Sequence, residues 1–380
     1  MKKIIPYGRQ HIEKSDIKDV ASALTNEKLT TGELTLKFEK KIKNFLNCKY
    51  SLTCNSGTSA LFIALSALNI KKGDKIIMPS INFIASYSVA KFLGAKVYLS
   101  DVDRYTGQMR PKDVEYCCKK FGIKNFDALI VMYNGGYPQN AEKFNYLKNK
   151  YKCRIIEDAC HALGSSYKYK NKYYKIGSCK HSDICTFSLH PLKTITTGEG
   201  GIVTTNNKFL FEKMKMIRSL GIKKSRLKHW NYDVLLNGLN FRLTDFQSAL
   251  GMSQLKKINK FIKKRKTIAS KYNKEIKTIK EILIPQHSNN YKSSYHLFII
   301  HIQKQNKNYK EKMIKFMLKN RVMLQYHYIP IYKFSIFKDK FINKNAEIYY
   351  NSAVSLPIYF SLLETDQNLI IKLLKKFLKK

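Results

Sequence analysis

Lysine is the commonest charged residue in this chain, yet Lys193 stands apart by its surroundings, "SLHPLKTITTGEGGIVTTNN" at 188–207. Among small and hydroxylated residues an ammonium is partly desolvated. Desolvation lowers its pKa and frees a lone pair for attack on a carbonyl. Taken alone, Lys193 also fits a solvated surface amine. Three further stretches carry complementary chemistry. In "NSGTSA", a turn at Gly57 opens a helix with hydroxyls at Thr58 and Ser59. Free backbone N–H groups and the helix dipole favour a phosphate there, although Ser56 or Thr58 could simply cap the helix. In "NFI", Phe83 follows a strand and a proline, where a ring either covers a flat ligand or packs in the core. In "CRIIEDACHALGSS" an apolar strand ends on Glu157-Asp158. A carboxylate there can hold a cation or a protonated ring nitrogen, or cap a helix, and His161 is spaced to support it.

Each stretch has an ordinary structural explanation. Their co-occurrence changes the weighting. A phosphate cradle, a ring cover, an acid and a nucleophilic lysine, in this chain order, are the parts that a pyridoxal 5'-phosphate (PLP) site needs.

These parts must be held by a scaffold, and the hydrophobic pattern supplies one. Residues 14–47 read as two helices around the turn "LTTGE". From "YSLTC" to "CRIIEDAC" short apolar strands alternate with helices, which predicts a mostly parallel sheet covered on both faces. Ligands of such sheets lie beyond the carboxyl ends of the strands. Short strands follow at "DICTFSL" and "GGIVTTN", then a long helical stretch over 242–277. "SYHLFIIHI", a helix near 308–320 and the basic amphipathic end "DQNLIIKLLKKFLKK" complete the chain. The final helix is read as docked, with lysines at its C-terminal dipole. The expected division is a large domain over 1–258 and a smaller α+β domain over 259–380.

The formal charge is +43, but only nine of 70 basic residues are arginines and the lysines run along the whole chain. A nucleic-acid reader would cluster its charge and use arginine for base contacts, so neither nucleic acid nor membrane is expected as a partner. Eight scattered cysteines without C-x-x-C spacing, and histidines without H-E-x-x-H, give no metal framework. No apolar run spans a bilayer and the N-terminus lacks a secretory h-region, so the expected location is cytoplasmic.

"NSGTSAL", "EDACHALG", "FSLHPLKTITTGEGG" and "NFRLTDFQSALG" together resemble the DegT-type sugar-nucleotide aminotransferases. The resemblance runs from "PYGRQHI" to "AVSLPIYFSL" and is closest to the UDP-4-amino-4,6-dideoxy-N-acetyl-beta-L-altrosamine transaminase branch of pseudaminic acid synthesis. It implies PLP-dependent transferase fold type I, the aspartate aminotransferase-like α/β fold, with PLP as cofactor. It also implies roles. Lys193 would hold the cofactor covalently, Asp158 would pair with the ring nitrogen, Phe83 would stack on the ring and His161 would lie beside it. Gly57, Thr58, Ser59 and Ser188 would take the phosphate. Asn240 would reach that phosphate from a neighbouring subunit, which implies a homodimer. Tyr7, Thr31, Arg242, His327 and Tyr328 would face the sugar nucleotide. Glutamate would be the amino donor and C4 of a UDP-4-keto-6-deoxy-N-acetylhexosamine the acceptor. A C3-aminating or GDP/dTDP-sugar enzyme is the alternative. A related dehydratase of the same fold would lack the lysine. Three segments depart from the family pattern: Glu33 stands where proline is usual, Tyr332 where histidine is frequent, and "YNGGYPQN" is a loose match.

Overall fold

The computed structural model describes residues 4–225, 230–285, 289–303, 307–337 and 341–378. Its centre is a seven-stranded sheet. From one edge to the other the strands are Tyr50–Cys54, Gly201–Thr205, Ile184–Ser188, Arg154–Asp158, Ala128–Met132, Lys75–Pro79 and Lys96–Ser100. Gly201–Thr205 is antiparallel to both of its neighbours, while the remaining pairings are parallel. The inner strands are apolar without alternation, as in Ala128–Met132, where every residue is buried. That is the pattern of a sheet covered on both faces. The helix Gly57–Ala67 is apolar nearly all round and buried, so it lies within the core.

Two helices had not been singled out in the sequence: Pro111–Lys120 and Lys208–Arg218. Both carry ordinary start signals, Pro111 at the first turn and the Asn207 side chain accepting from Leu210 N–H. The long helical stretch over 242–277 is two helices, Asp245–Lys256 and Ile258–Ile276. Thr244 and Gln247 form a reciprocal capping box that starts the first helix after Arg242.

A second sheet joins Ile282–Leu283, Phe298–Ile302 and Ala353–Leu356, all antiparallel. The terminal helix Glu364–Leu378 buries Ile370, Ile371 and Leu374 against this unit, so it is docked. The buried apolar residues form two clusters. The helix Ile258–Ile276 belongs to both: Ile258 and Phe261 pack in the large one, Ile268, Ala269, Tyr272 and Ile276 in the small one. Arg265 sits at the handover, buried, its guanidinium donating to the carbonyls of Tyr295 (3.3 Å), His296 (3.2 Å) and Ile358 (2.8 Å). Burial lowers its pKa to about 10. The N-terminal segment closes the assembly: Ile5 N–H donates to Arg321 O and Met323 N–H to Ile5 O.

Candidate active site

The Lys193 loop is closed at its neck by its own small residues. Leu189 N–H donates to Gly200 O, and Thr197 N–H donates to Leu189 O. The Thr196 hydroxyl donates to Leu189 O (2.9 Å) and that of Thr197 to Glu199 O (2.7 Å). The hydroxylated residues thus satisfy the loop's own carbonyls, which a buried turn requires. The Gly200-Gly201 pair lets the neck close. A Cβ on Gly200 would lie 2.2 Å from Thr197 Oγ1, and one on Gly201 would lie 2.2 Å from Ser56 O.

Lys193 is thereby held over the carboxyl ends of the strands, on the wall of a cavity of about 520 Å³. The Lys193 side chain is partly buried and lines the cavity. Burial lowers its pKa below the usual lysine value, opposed in part by Cys160 and Asp158.

Asp158 ends the Arg154–Asp158 strand and is buried. The Ser86 hydroxyl donates to its Oδ2 (2.7 Å), Asn82 Nδ2 donates to the same oxygen (3.5 Å), and Cys160 N–H donates to Oδ1 (3.4 Å). Strand alternation sends its neighbour Glu157 to the opposite face, where the Tyr133 hydroxyl donates to it (2.7 Å) and burial raises its pKa. His161 does not support Asp158, contrary to expectation. Its ring nitrogens meet Gly135 N–H (3.4 Å) and Tyr328 Oη (2.7 Å) instead.

At the other end of the cavity the turn Ser56-Gly57-Thr58 meets the end of the Ile184–Ser188 strand. Ser56 caps the helix, its hydroxyl accepting from Ser59 N–H (3.0 Å); a cap of this kind contributes ~1 kcal/mol. Ser59 is turned away from the cavity, its hydroxyl donating to Asn55 Oδ1 (2.6 Å). Gly57 approaches so closely that an added Cβ would lie 2.8 Å from Ser188 Cβ.

The cavity brings together Tyr7, Gly57, Thr58, Phe83 and Asp158, and with them His161, Ser188, Lys193, His327 and Tyr328. Ser59, Thr31, Asn240 and Arg242 do not line it. Thr31 is exposed beside a turn fixed from afar by Asp245, whose carboxylate accepts from Gly32 N–H (3.2 Å) and the Thr35 hydroxyl (2.7 Å). Asn240 is exposed at the base of a hairpin that carries exposed Tyr232, Val234, Leu235 and Leu239. The departures from the family pattern are also outside. Glu33 is the first residue of the helix Glu33–Leu46, a position that suits proline or an acid alike, and it pairs with Lys37 (2.7 Å). Tyr332 is buried, its hydroxyl donating to Glu347 (2.8 Å). Sequence reasoning placed Ser56 as a helix cap, as the structure shows, and Asn82 only as the neighbour of Phe83, and it missed Ser86, Cys160, Glu199 and His296. Of these, Ser86 and Asn82 reach Asp158 from more than 70 positions away, which no local pattern can signal.

A partly buried amine, a buried carboxylate with fixed donors and a glycine–hydroxyl cradle on one cavity match the sequence motifs, and comparison with known proteins accounts for the match. The model of the DegT/DnrJ/EryC1/StrS aminotransferase family aligns with residues 10–375. The chain belongs to this family. It is 37% identical to a UDP-4-amino-4,6-dideoxy-N-acetyl-beta-L-altrosamine transaminase of Campylobacter jejuni, over 94% of this chain and 93% of the relative. It is 36% identical to an Escherichia coli O157:H7 GDP-perosamine synthase over 66% of this chain and 65% of the relative. Among solved structures, Helicobacter pylori PseC, an aminotransferase involved in pseudoaminic acid biosynthesis, superposes with a TM-score of 0.90. That match is 30% identical and covers 99% of this chain and all of PseC. The protein is therefore a sugar aminotransferase of fold type I. Among the described residues no helix is long and apolar enough to cross a membrane.

Proposed function

We propose that this aminotransferase works in the cytoplasm as a PLP-dependent homodimer. It would move an amino group from L-glutamate to C4 of a UDP-4-keto-6-deoxy-N-acetylhexosamine, in pseudaminic-acid-type sugar synthesis. The observation that carries the reading is the single cavity holding Lys193, Asp158 and the Gly57–Ser188 cradle. The 37% identity to the altrosamine transaminase supports the sugar, and the exposed apolar hairpin above Asn240 supports the dimer.

The residues fit PLP in size and in donor chemistry. The turn and the Ser188 strand end can close on one another only because position 57 carries no Cβ. Thr58, Ser188 and the N-terminal amides of the helix Gly57–Ala67 would hold that anion. Phe83 would cover the ring. Asp158, fixed by Ser86 and Asn82, would keep a proton on the ring nitrogen, since a buried carboxylate favours a paired positive charge. When bound, PLP supplies an electron sink for the carbanion formed at the amino-bearing carbon. Lys193, its pKa lowered by burial, would direct its amine at the cofactor's carbonyl carbon. The same Nζ would take the proton from the donor's α-carbon and hold it for return to the substrate side. In the second half-reaction Lys193 runs this transfer in reverse on the keto sugar. The walls at Tyr7, His327 and Tyr328 exclude water and meet the sugar.

Spectroscopy tests the reading. PLP-loaded wild type is expected to show a visible band that glutamate bleaches and a UDP-4-keto-6-deoxy-N-acetylhexosamine restores. Lys193→Ala is expected to show neither change. A Lys193→Ala protein that still transaminates would sink the mechanism. The identity to GDP-perosamine synthase favours a GDP-keto sugar as the second reading. Restoration of the band by a GDP-sugar and not by the UDP-sugar would select it.

A further inference from the structure

The two nitrogens of His161 have different partners, and those partners fix where its proton sits. Gly135 N–H donates to Nδ1 at 3.4 Å. A backbone amide can only donate, so Nδ1 is the lone-pair nitrogen. Burial, reinforced by Lys193 and His327, holds the imidazole well below its usual pKa, so the ring is neutral. Its single proton is then on Nε2, which lies 2.7 Å from Tyr328 Oη. Nε2–H donates and the phenol oxygen accepts. Burial keeps the phenol itself protonated. No other protein group among the described residues bonds that hydroxyl, and Tyr328 lines the cavity.

Gly135 can make this contact because of its backbone. Gly135 and Gly136 both adopt positive φ (72° and 87°). A Cβ on Gly136 would lie 2.5 Å from His161 O. Ser165 and Ser293 hydroxyls donate to Gly136 O at 2.7 and 2.8 Å, pinning the glycine pair under the histidine. The loosely matching "YNGG" segment is thus the part of the chain that sets the tautomer.

We propose that His161 is a positioning residue that acts through Tyr328. By occupying the phenol oxygen as an acceptor, it turns the Tyr328 O–H into the cavity as a hydrogen-bond donor to a carbonyl or hydroxyl oxygen of the sugar. This rests on the proposal that a keto sugar nucleotide binds here. A hydroxyl whose own oxygen is held has one direction left for its proton, so the donor is aimed before the ligand arrives.

Two measurements test it. The first is long-range ¹⁵N NMR of full-length protein labelled in histidine, with His161 assigned by loss of its signal in His161→Gln. The expected result is the neutral Nε2–H tautomer. A proton on Nδ1, or on both nitrogens, overturns the proposal. The second is a double-mutant cycle read as KM and kcat for the sugar half-reaction and as the dissociation constant of UDP-N-acetylglucosamine. His161→Leu is expected to lower kcat/KM about tenfold, the scale of one oriented hydrogen bond, but to cost nothing further in the Tyr328→Phe background. His161→Gln, whose amide N–H extends to the Nε2 position, is expected to recover most of the loss. Equal penalties in both backgrounds, or Leu and Gln behaving alike, overturn it. If the Nε2–H tautomer is found but the sugar nucleotide is neither bound nor turned over, the substrate reading falls and the His161–Tyr328 arrangement stands.

Discussion

Replacing Gly57 with alanine is expected to open the phosphate cradle while leaving the fold in place. The new Cβ would lie 2.8 Å from Ser188 Cβ and 3.3 Å from both Ser188 Cα and Oγ, while ordinary contact begins at 3.4 Å. The turn and the strand end must therefore part by roughly 0.6 Å, and neither is a flexible side-chain tip that could swing aside. Overpacking of this kind costs about 1–3 kcal/mol of stability. The cost to binding is separate. A phosphate bridging the helix amides and Ser188 would keep its bonds to one side only. Losing one charge-assisted hydrogen bond costs about 1.5–3 kcal/mol, or roughly 10- to 150-fold in affinity. Titration of the PLP-free protein with PLP, followed by visible absorbance, gives the dissociation constant. Thermal melting of the same samples shows whether the fold survives. A folded Gly57→Ala protein that binds PLP within twofold of wild type would refute the cradle.

The neighbouring carboxylates should separate by face. Asp158→Asn is expected to lower the rate of the glutamate half-reaction at least 100-fold, within the range that electrostatic partners contribute. Glu157→Gln, bonded only on the far side of the sheet, is expected to leave it within a few-fold; equal losses would contradict the assignment of faces. Acid should destabilise the protein. Burial lowers His301 to about 4 and His327 to about 3 from 6.5. The unfolded chain therefore takes up protons first, and stability falls as pH drops from about 6.5 towards 4, by up to ~1.4 kcal/mol per pH unit for each histidine. Urea unfolding at pH 7.5, 6 and 5 reads this directly, and a midpoint that does not move would contradict it. Asn240→Ala is expected to weaken PLP binding several-fold without altering the cavity of its own chain. Sedimentation should show a dimer, and a monomer with unchanged PLP affinity would remove Asn240 from the site.

What the sequence made legible was whatever is local. Asp158, Lys193 and the Gly57 turn declare themselves through neighbours within a few positions, and the alternation of apolar strands and helices declares the sheet. What it hid was whatever depends on contact between distant segments. His161 reads as a partner of Asp158 because three positions separate them. In the folded chain its ring turns to Gly135 and Tyr328, and Ser86 takes the role expected of it. Ser59 looks as suited to a phosphate as Thr58. One residue further around a helix is about 100°, and that rotation puts its hydroxyl on Asn55. The helix break at Lys257 and the start at Thr244 depend on capping geometry, which blurs in a continuous run of helix-forming residues.

The tie between Ile5 and the segment 321–323 has a consequence for how the molecule is made. A ribosome releases the first residues more than 300 positions before their partners exist. The large sheet can form before this, but Tyr7, held through its carbonyl by Ile358 N–H, cannot take its place until Ile358 has been made. That wall of the pocket is therefore completed only after the sheet that carries Lys193 and Asp158. A chain stalled or truncated before about residue 358 would keep Lys193 and Asp158 yet leave the pocket without one wall, exposed to water and to passing aldehydes.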